Sequence, residues 1–375
     1  MAAWACKHAR KRRFTFASLE FTNALIAPDM GPVACILGLL RGCATIHAMK
    51  HQHTLSALYE PIAPALEEVR GVMKEIWGDV LRLVHCTAAA AGETVAEGKL
   101  LRPALCLLAA GTLGEQDLRP YSRLAAAYEA MHLASLAHDD VVDHASLRRG
   151  QYALNVLWDE HAAVLGGDYL VARALEMLLE YRSLDIISAA TRVVRRMSEG
   201  ELRFFGKDVG ETTEEDCITL ADTKTASLFA AACSAPACLI NPASVSMLYD
   251  FGIALGIAFQ LVDDLLDISQ PASVLGKPSC GDVAEGKQTL PLILLRQRMD
   301  DQERKALVAL QGVSLTDRDR AWIRDCAQRL DIPALLNGCV NTHIETAIER
   351  LHCFPSSPFR DSMEGLARFI LVRVS

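Results

Sequence analysis

From about Leu55 onward, apolar residues return every three or four positions, the period of a helix that buries one face. Residues 55–86 show this spacing, with Pro61 and Pro64 interrupting near the start, where a helix tolerates proline. Residues 119–140 repeat it through Leu124, Tyr128, Met131 and Leu136, and the pattern predicts further helices near 155–180, 186–206, 213–234 and 243–267. The stretch from 213 carries a capping box, read as Thr212 with Glu215. Beyond Gly281, helices are predicted at 290–298, 303–311, 316–330, 333–351 and 361–373. No alternating run of β-branched residues bounded by turns predicts a strand, and no linker divides residues 49–375. The expected fold is all-α, with a single domain over 49–375.

Residues 1–48 break the pattern. A basic cluster (Lys7, Arg10, Lys11, Arg12, Arg13) is followed by a short apolar run at 33–40. Three readings stay open: a disordered extension, an organelle-targeting segment, or an over-long start with Met49 as the true beginning. His47, His51 and His53 read as linker residues that bind metal at most adventitiously.

The charged positions inside the helical pattern carry the chemistry. Asp139-Asp140-Val141-Val142-Asp143 and Asp263-Asp264-Leu265-Leu266-Asp267 repeat one acidic motif 124 positions apart, each at the end of an apolar stretch. On a helix, positions i, i+1 and i+4 project to one side. Three carboxylates there repel one another, and burying them is costly unless cations arrive. Carboxylate oxygens suit a hard divalent ion such as Mg²⁺, which is commonly shared with substrate phosphates. One such motif reads as a solvated helix end; two, both in Val/Leu/Ala-rich helices, read as a cage for a diphosphate.

Composition narrows the alternatives. The net charge of −8, without a long basic tract in the body, argues against a nucleic-acid partner. The 12 cysteines show no C-x-x-C pair or zinc-like spacing, which suits small core hydrophobes in a reducing compartment. No apolar run is read as long enough to span a bilayer, so a soluble, cytoplasmic chain is expected. An acidic protein with an anionic substrate needs placed cations. Candidates are Lys99 and Arg102 where a helix opens, Arg148 and Arg149 after the first motif, Lys224 within Ala-rich turns, and Lys277 and Lys287 after the second. Arg grips phosphate with a planar fork, whereas Lys acts as a point charge.

Together these strings resemble the trans-isoprenyl diphosphate synthases of the polyprenyl type. The matching segments are Gly98-Lys99-x-Leu101-Arg102-Pro103; Glu129-x-x-His132; His138-Asp139-Asp140-x-x-Asp143; Arg148-Arg149-Gly150; Gly167-Asp168-Tyr169-Leu170; Gly200-Glu201; and Lys224-Thr225-Ala226. They continue with Gly256-x-Ala258-Phe259-Gln260-x-x-Asp263-Asp264-x-x-Asp267 and with Gly276-Lys277-Pro278-x-x-Gly281-Asp282-x-x-Glu285-Gly286-Lys287-x-Thr289-Leu290-Pro291. The resemblance runs in order from about residue 60 to the C-terminus.

What it implies is specific. It implies an antiparallel helical bundle around a central cavity, paired as a homodimer. Asp139, Asp143 and Asp263 would hold Mg²⁺ (three ions with the allylic diphosphate bound), supported by Asp140, Asp264 and Asp267. Arg148, Lys224, Thr225, Gln260 and Lys277 would contact the allylic diphosphate. Lys99, Arg102, His132 and Arg149 would bind isopentenyl diphosphate. The chain departs from the pattern at Glu97, Leu100, Phe204 and Cys217, none of them in an acidic motif. A terpene cyclase would share the first motif but lack the second DDxxD, and a non-catalytic subunit would have lost aspartates.

Product length is expected to depend on the residues one and two turns before Asp139, namely Ala134 and Ser135, then Met131, then Ala127 and Tyr128. Short-chain relatives place a bulky aromatic one turn up; Ala134 and Ser135 leave that level open. Only two residues separate Asp140 from Asp143, and both features point beyond farnesyl. The alternative is that Ala134 is small merely to pack against a neighbouring helix.

Overall fold

Proline fixes where the bundle begins. Helix α1 (Leu55–Tyr59) gives way to a 3₁₀ turn (Glu60–Ile62) holding Pro61, and Pro64 then sits in the first turn of α2 (Ala63–Leu83). Neither proline breaks a helix interior, because a first-turn N–H has no intrahelical partner to lose. The computed structural model describes residues 54–84, 98–145, 147–148, 151–204, 211–275 and 278–372. The extension 1–48 and Glu97, Arg149 and Lys277 lie outside the described residues, as do the side chains of Arg148 and Phe204. Leu55–Ser375 forms one compact unit.

Helix α3 (Leu101–Thr112) is almost wholly buried. Pro120 lies in the 3₁₀ turn Arg119–Tyr121 that leads into α4 (Ser122–Val142), the helix bearing the first acidic motif. A two-residue antiparallel ladder follows, β1 (Leu147–Arg148) with β2 (Gln151–Tyr152), where sequence predicts only a loop. Then come α5 (Leu154–Leu157), α6 (Glu160–Leu179) and α7 (Leu184–Phe204). Helix α8 (Glu214–Leu220) opens on a capping box one residue later than expected. Thr213 accepts from the Asp216 N–H, and the Asp216 carboxylate accepts in return from the Thr213 N–H. Thr212 and Glu215 were one position off because adjacent threonines and acids make the two registers indistinguishable in sequence.

The predicted continuous helix from 213 is interrupted by a π turn, Ala221–Ala226, before α9 (Ser227–Ile240). Helix α10 (Val245–Ser269) carries the second acidic motif. Short helices α11 (Ala272–Leu275) and α12 (Gly281–Ala284) precede α13 (Leu290–Arg298), α14 (Asp301–Ala309), α15 (Asp317–Arg329), α16 (Ile332–Leu351) and α17 (Pro358–Val372). Among the described residues, every element apart from the small ladder is helical.

The core centres on α3, α4, α9 and α10, with Leu105, Tyr128, Phe229 and Phe251 each at most 1% exposed. Contrary to the sequence reading, two stretches are long and apolar enough to cross a membrane by length and composition: Glu214–Ile240 and Pro242–Ser269. Their apolar windows are 72% and 56% buried inside the bundle, so helix–helix contact accounts for that apolarity.

Helices α9 and α10 touch backbone to backbone. A Cβ on Gly252 would lie 2.7 Å from the Ala230 nitrogen, and one on Gly256 would press into the Ala226 Cα. A methyl group has no room there without moving a helix. Gly256→Ala is expected to cost about 1–3 kcal/mol as overpacking. A thermal melt would show the loss; an unchanged midpoint would mean the helix pair relaxes freely.

Candidate active site

Helix termini bring the two acidic motifs together. At the end of α4, the Asp143 N–H donates to the Asp139 carbonyl at 2.8 Å, so the motif straddles the last turn. Asp140 points inward, 1% exposed, and its carbonyl accepts from Asn155 Nδ2 at 3.0 Å and from the Ala145 N–H at 2.9 Å. The three acids of this motif therefore do not share one environment: Asp139 and Asp143 are half-buried, whereas Asp140 is enclosed. On α10, Asp263 is exposed, Asp264 half-buried and Asp267 buried. Asp267 ties the following loop to the helix, accepting from the Asp282 N–H through Oδ2 at 3.1 Å and from the Cys280 N–H through its carbonyl at 2.8 Å.

Two lysines answer the first motif. Lys224, aimed inward by the π turn, places Nζ 3.2 Å from Asp139 Oδ1 and also pairs with Glu201. Lys287 donates from Nζ to Asp143 Oδ2 at 2.6 Å and sits 2.7 Å from Glu285 Oε2. Lys287, a candidate cation in the sequence, pairs here with the first motif, and Glu201 joins the site although the sequence reading assigned it no role. The available signal was the placement of each in a string that carries the resemblance, Glu285-Gly286-Lys287 and Gly200-Glu201. Beside Lys224, Thr225 Oγ1 donates to Gln260 Oε1 at 2.6 Å, and Gln260 Nε2 donates onward to Asp264 Oδ1 at 2.7 Å. A single relay thus joins the π turn to the second motif.

The electrostatics show a site with too much negative charge. Burial pushes the Asp139 carboxyl above its ordinary value despite Lys224 beside it. Asp264 is pushed up to about 7, first by burial and then by Asp263 and Asp267, with the Gln260 hydrogen bond opposing. Burial alone would lower Lys224, but Asp139 and Glu201 hold its ammonium above the usual value; Asp143 and Glu285 do the same for Lys287. Lys287 also acts on Asp264 and on Lys224, so the two motifs share one field.

That donor set fits a hard divalent cation. It is made of carboxylate oxygens, and two of its acids are held toward the protonated form, where a cation would relieve them. Among the described residues no three such donors are already gathered around one point. A hard ion such as Mg²⁺ commonly takes one or two carboxylates and completes its shell with water and phosphate oxygens.

The remaining sequence candidates lie along α3 and α4. Arg102, 8% exposed, stacks its guanidinium 4.6 Å from the Phe229 ring centroid. Lys99 is exposed, and its carbonyl accepts from Tyr59 Oη at 2.7 Å. His132 is half-buried, its carbonyl accepting from Ser135 Oγ at 2.8 Å. Met131 and Ala134 are 4% and 1% exposed, and Tyr128 below them is fully enclosed. Of the departures, Leu100 adopts a left-handed backbone (φ 50°) just before α3. Cys217 is buried and donates from Sγ to the Gln288 carbonyl, its thiol pushed up to about 12 by burial. A surface cavity of about 1010 Å³ lies at the far ends of α3, α9 and α10, lined by residues including Gly111, Asn241, Met247 and Phe359; no sequence candidate lines it.

A family profile described as Polyprenyl synthetase matches residues 85–326. The chain belongs to that family. It is accordingly a prenyltransferase with the all-α isoprenoid synthase fold. It is 34% identical over 287 residues to the all-trans-nonaprenyl-diphosphate synthase (geranyl-diphosphate specific) of Rhodobacter capsulatus, covering 74% of this chain and 86% of that protein. It is 33% identical to the short chain isoprenyl diphosphate synthase of Methanothermobacter thermautotrophicus, over 74% of this chain and 87% of that one. Among solved structures, the polyprenyl synthase from Caulobacter crescentus, complexed with calcium and isoprenyl diphosphate, matches with a TM-score of 0.78 and 31% identity. That match covers 86% of this chain and 99% of the other. Two relatives of nearly equal identity make products of different length class, so likeness alone does not set the product of this chain.

Proposed function

We propose that the protein joins isopentenyl diphosphate head-to-tail to an allylic diphosphate, building an all-trans polyprenyl diphosphate longer than farnesyl. The observation that carries this reading is the single field shared by both aspartate motifs with Lys224 and Lys287. Asp139, Asp143 and Asp263 would hold Mg²⁺, with Asp140, Asp264 and Asp267 supporting. Bound there, Mg²⁺ supplies neutralisation of the departing diphosphate. Lys224, Thr225 and Gln260 orient that diphosphate, together with Arg148 and Lys277, so that charge gathering on its oxygens meets fixed donors. The allylic C–O bond breaks with its electron pair leaving on the diphosphate. The double bond of isopentenyl diphosphate, held by Lys99, Arg102, His132 and Arg149, attacks the allylic carbon and a proton is then lost. Apolar residues along α4 exclude water from the carbocation. The active unit is expected to be a homodimer.

The test is to incubate the purified protein with labelled isopentenyl diphosphate, geranyl or farnesyl diphosphate and Mg²⁺, then size the products. Chains beyond farnesyl are expected. Cyclic products without extension would favour a terpene cyclase instead.

The Asp264 carboxyl gives a pH signature. Its value in the folded protein, about 7, lies above that of an unfolded aspartate, about 3.9. A raised carboxyl contributes stability that is full below pH ~4 and is lost as pH rises through ~7. Without divalent ions, this group should lower the melting temperature between pH 5.5 and 8. Mg²⁺ should raise the melting temperature more at pH 8 than at pH 5.5, because only the ionised carboxylate welcomes it. Asp264→Asn should flatten both trends; a slope that persists would assign them to another group.

A further inference from the structure

We propose that Arg196, on α7, is a positioning residue that holds the π turn in the register that aims Lys224 and Thr225. This rests on the assignment of those two residues to the allylic diphosphate. A π turn inserts one residue into a helix and is poorer in hydrogen-bond geometry than the α form, so it persists where its surroundings enforce it. Here enforcement comes from two sides. From α7, Gly200 leaves space for Thr223, whose Oγ1 would lie 2.5 Å from a Cβ at that glycine. Thr223 Oγ1 donates back to the carbonyls of Thr219 (2.8 Å) and Leu220 (3.2 Å), satisfying oxygens at the start of the turn. From α10, Gly256 allows the close approach of Ala226.

Arg196 links both sides. Its Nη2 donates to Asp222 Oδ2 at 2.7 Å, and its Nη1 donates to Tyr249 Oη at 2.8 Å. One planar guanidinium thus spans α7, the π turn and α10, with only 21% of the Arg196 side chain exposed. A lysine could keep one of these bonds in place but lacks the fork for both. Asp222 stands two residues before Lys224. If the turn reverted to α geometry, the extra residue would rotate Lys224 by about 100°. Its ammonium would then leave Asp139 and Glu201, and Thr225 would leave Gln260.

The experiment uses steady-state kinetics and melting curves on the full chain for Arg196→Met, Arg196→Lys, Tyr249→Phe and Lys224→Ala. Arg196→Met should raise the KM for the allylic diphosphate and lower kcat, reducing kcat/KM about ten- to a hundredfold. The KM for isopentenyl diphosphate should stay within about twofold. Arg196→Lys should recover part of the loss by keeping the charge beside Asp222, and Tyr249→Phe should show the same split at smaller size. If Arg196→Met fails to fold, Tyr249→Phe and Asp222→Asn carry the test with the same expected split. Equal weakening of both substrates, or no kinetic change, overturns the proposal. Should Lys224→Ala leave the allylic KM and kcat unchanged, the site assignment fails and the role of Arg196 falls with it. Should Lys224→Ala abolish turnover while Arg196→Met matches the parent, only the role of Arg196 is lost.

Discussion

Asp263→Ala should lower turnover by about 10²–10³-fold, the usual cost of removing one fixed electrostatic stabiliser from a reacting centre. The folded state should not suffer. Asp263 is exposed, and its negative charge helps push the Asp264 carboxyl up, so deleting it relieves repulsion. Without divalent ions, the variant should melt at or above the parent temperature, while the gain in melting temperature on adding Mg²⁺ should shrink. Asp139→Ala should cost as much in turnover, with a different stability signature. Asp139 is half-buried and lies 3.2 Å from Lys224, so its removal leaves that ammonium with Glu201 as its partner among the described residues. Relief of a strained carboxyl and loss of an ion-pair partner then oppose each other, and the melting temperature should move little. Near-normal turnover of Asp263→Ala would refute a mechanism that needs both motifs.

What sequence could and could not reveal about this site follows from the range of each interaction. Both aspartate motifs were legible because three acids within five residues of an apolar helix are anomalous, although their differing burial was not. Helix order was legible for the same reason, since the three-to-four residue period is local. Lys287 was visible as a charge but not as the partner of Asp143, because that pair spans 144 positions and depends on how the loop after α10 folds back. The π turn was invisible. Asp222, Thr223 and Thr225 in Ala221–Ala226 are weak helix formers, but that composition does not distinguish a π turn from an α turn, and the register is set by Gly200, Arg196 and Gly256 on other helices. The apolarity of α9 and α10, which passes a membrane test by composition, likewise acquires its meaning only from the helices packed around it.

Product length is where a single side chain should have the most visible effect. Ala134→Phe should shorten the product, because on the proposed reading the growing chain runs along α4 and an aromatic ring at that level would block it. Ala134 lies five residues before Asp139, about 7.5 Å along the helix, so the ring would sit roughly two isoprene units below the diphosphate. Met131, 4% exposed, is flexible and can yield to a chain, whereas the fully enclosed Tyr128 is a rigid aromatic lower down. The first condensation should continue at a comparable rate, since the carboxylates and lysines stand at the helix end, beyond the reach of the new ring. Overpacking is the competing effect. Ala134 is 1% exposed, and inserting a ring into a closed site costs about 1–3 kcal/mol, which a melting curve separates from any change in product. A stable, active variant whose product distribution matches the parent would show that Ala134 is small only to let α4 approach a neighbouring helix.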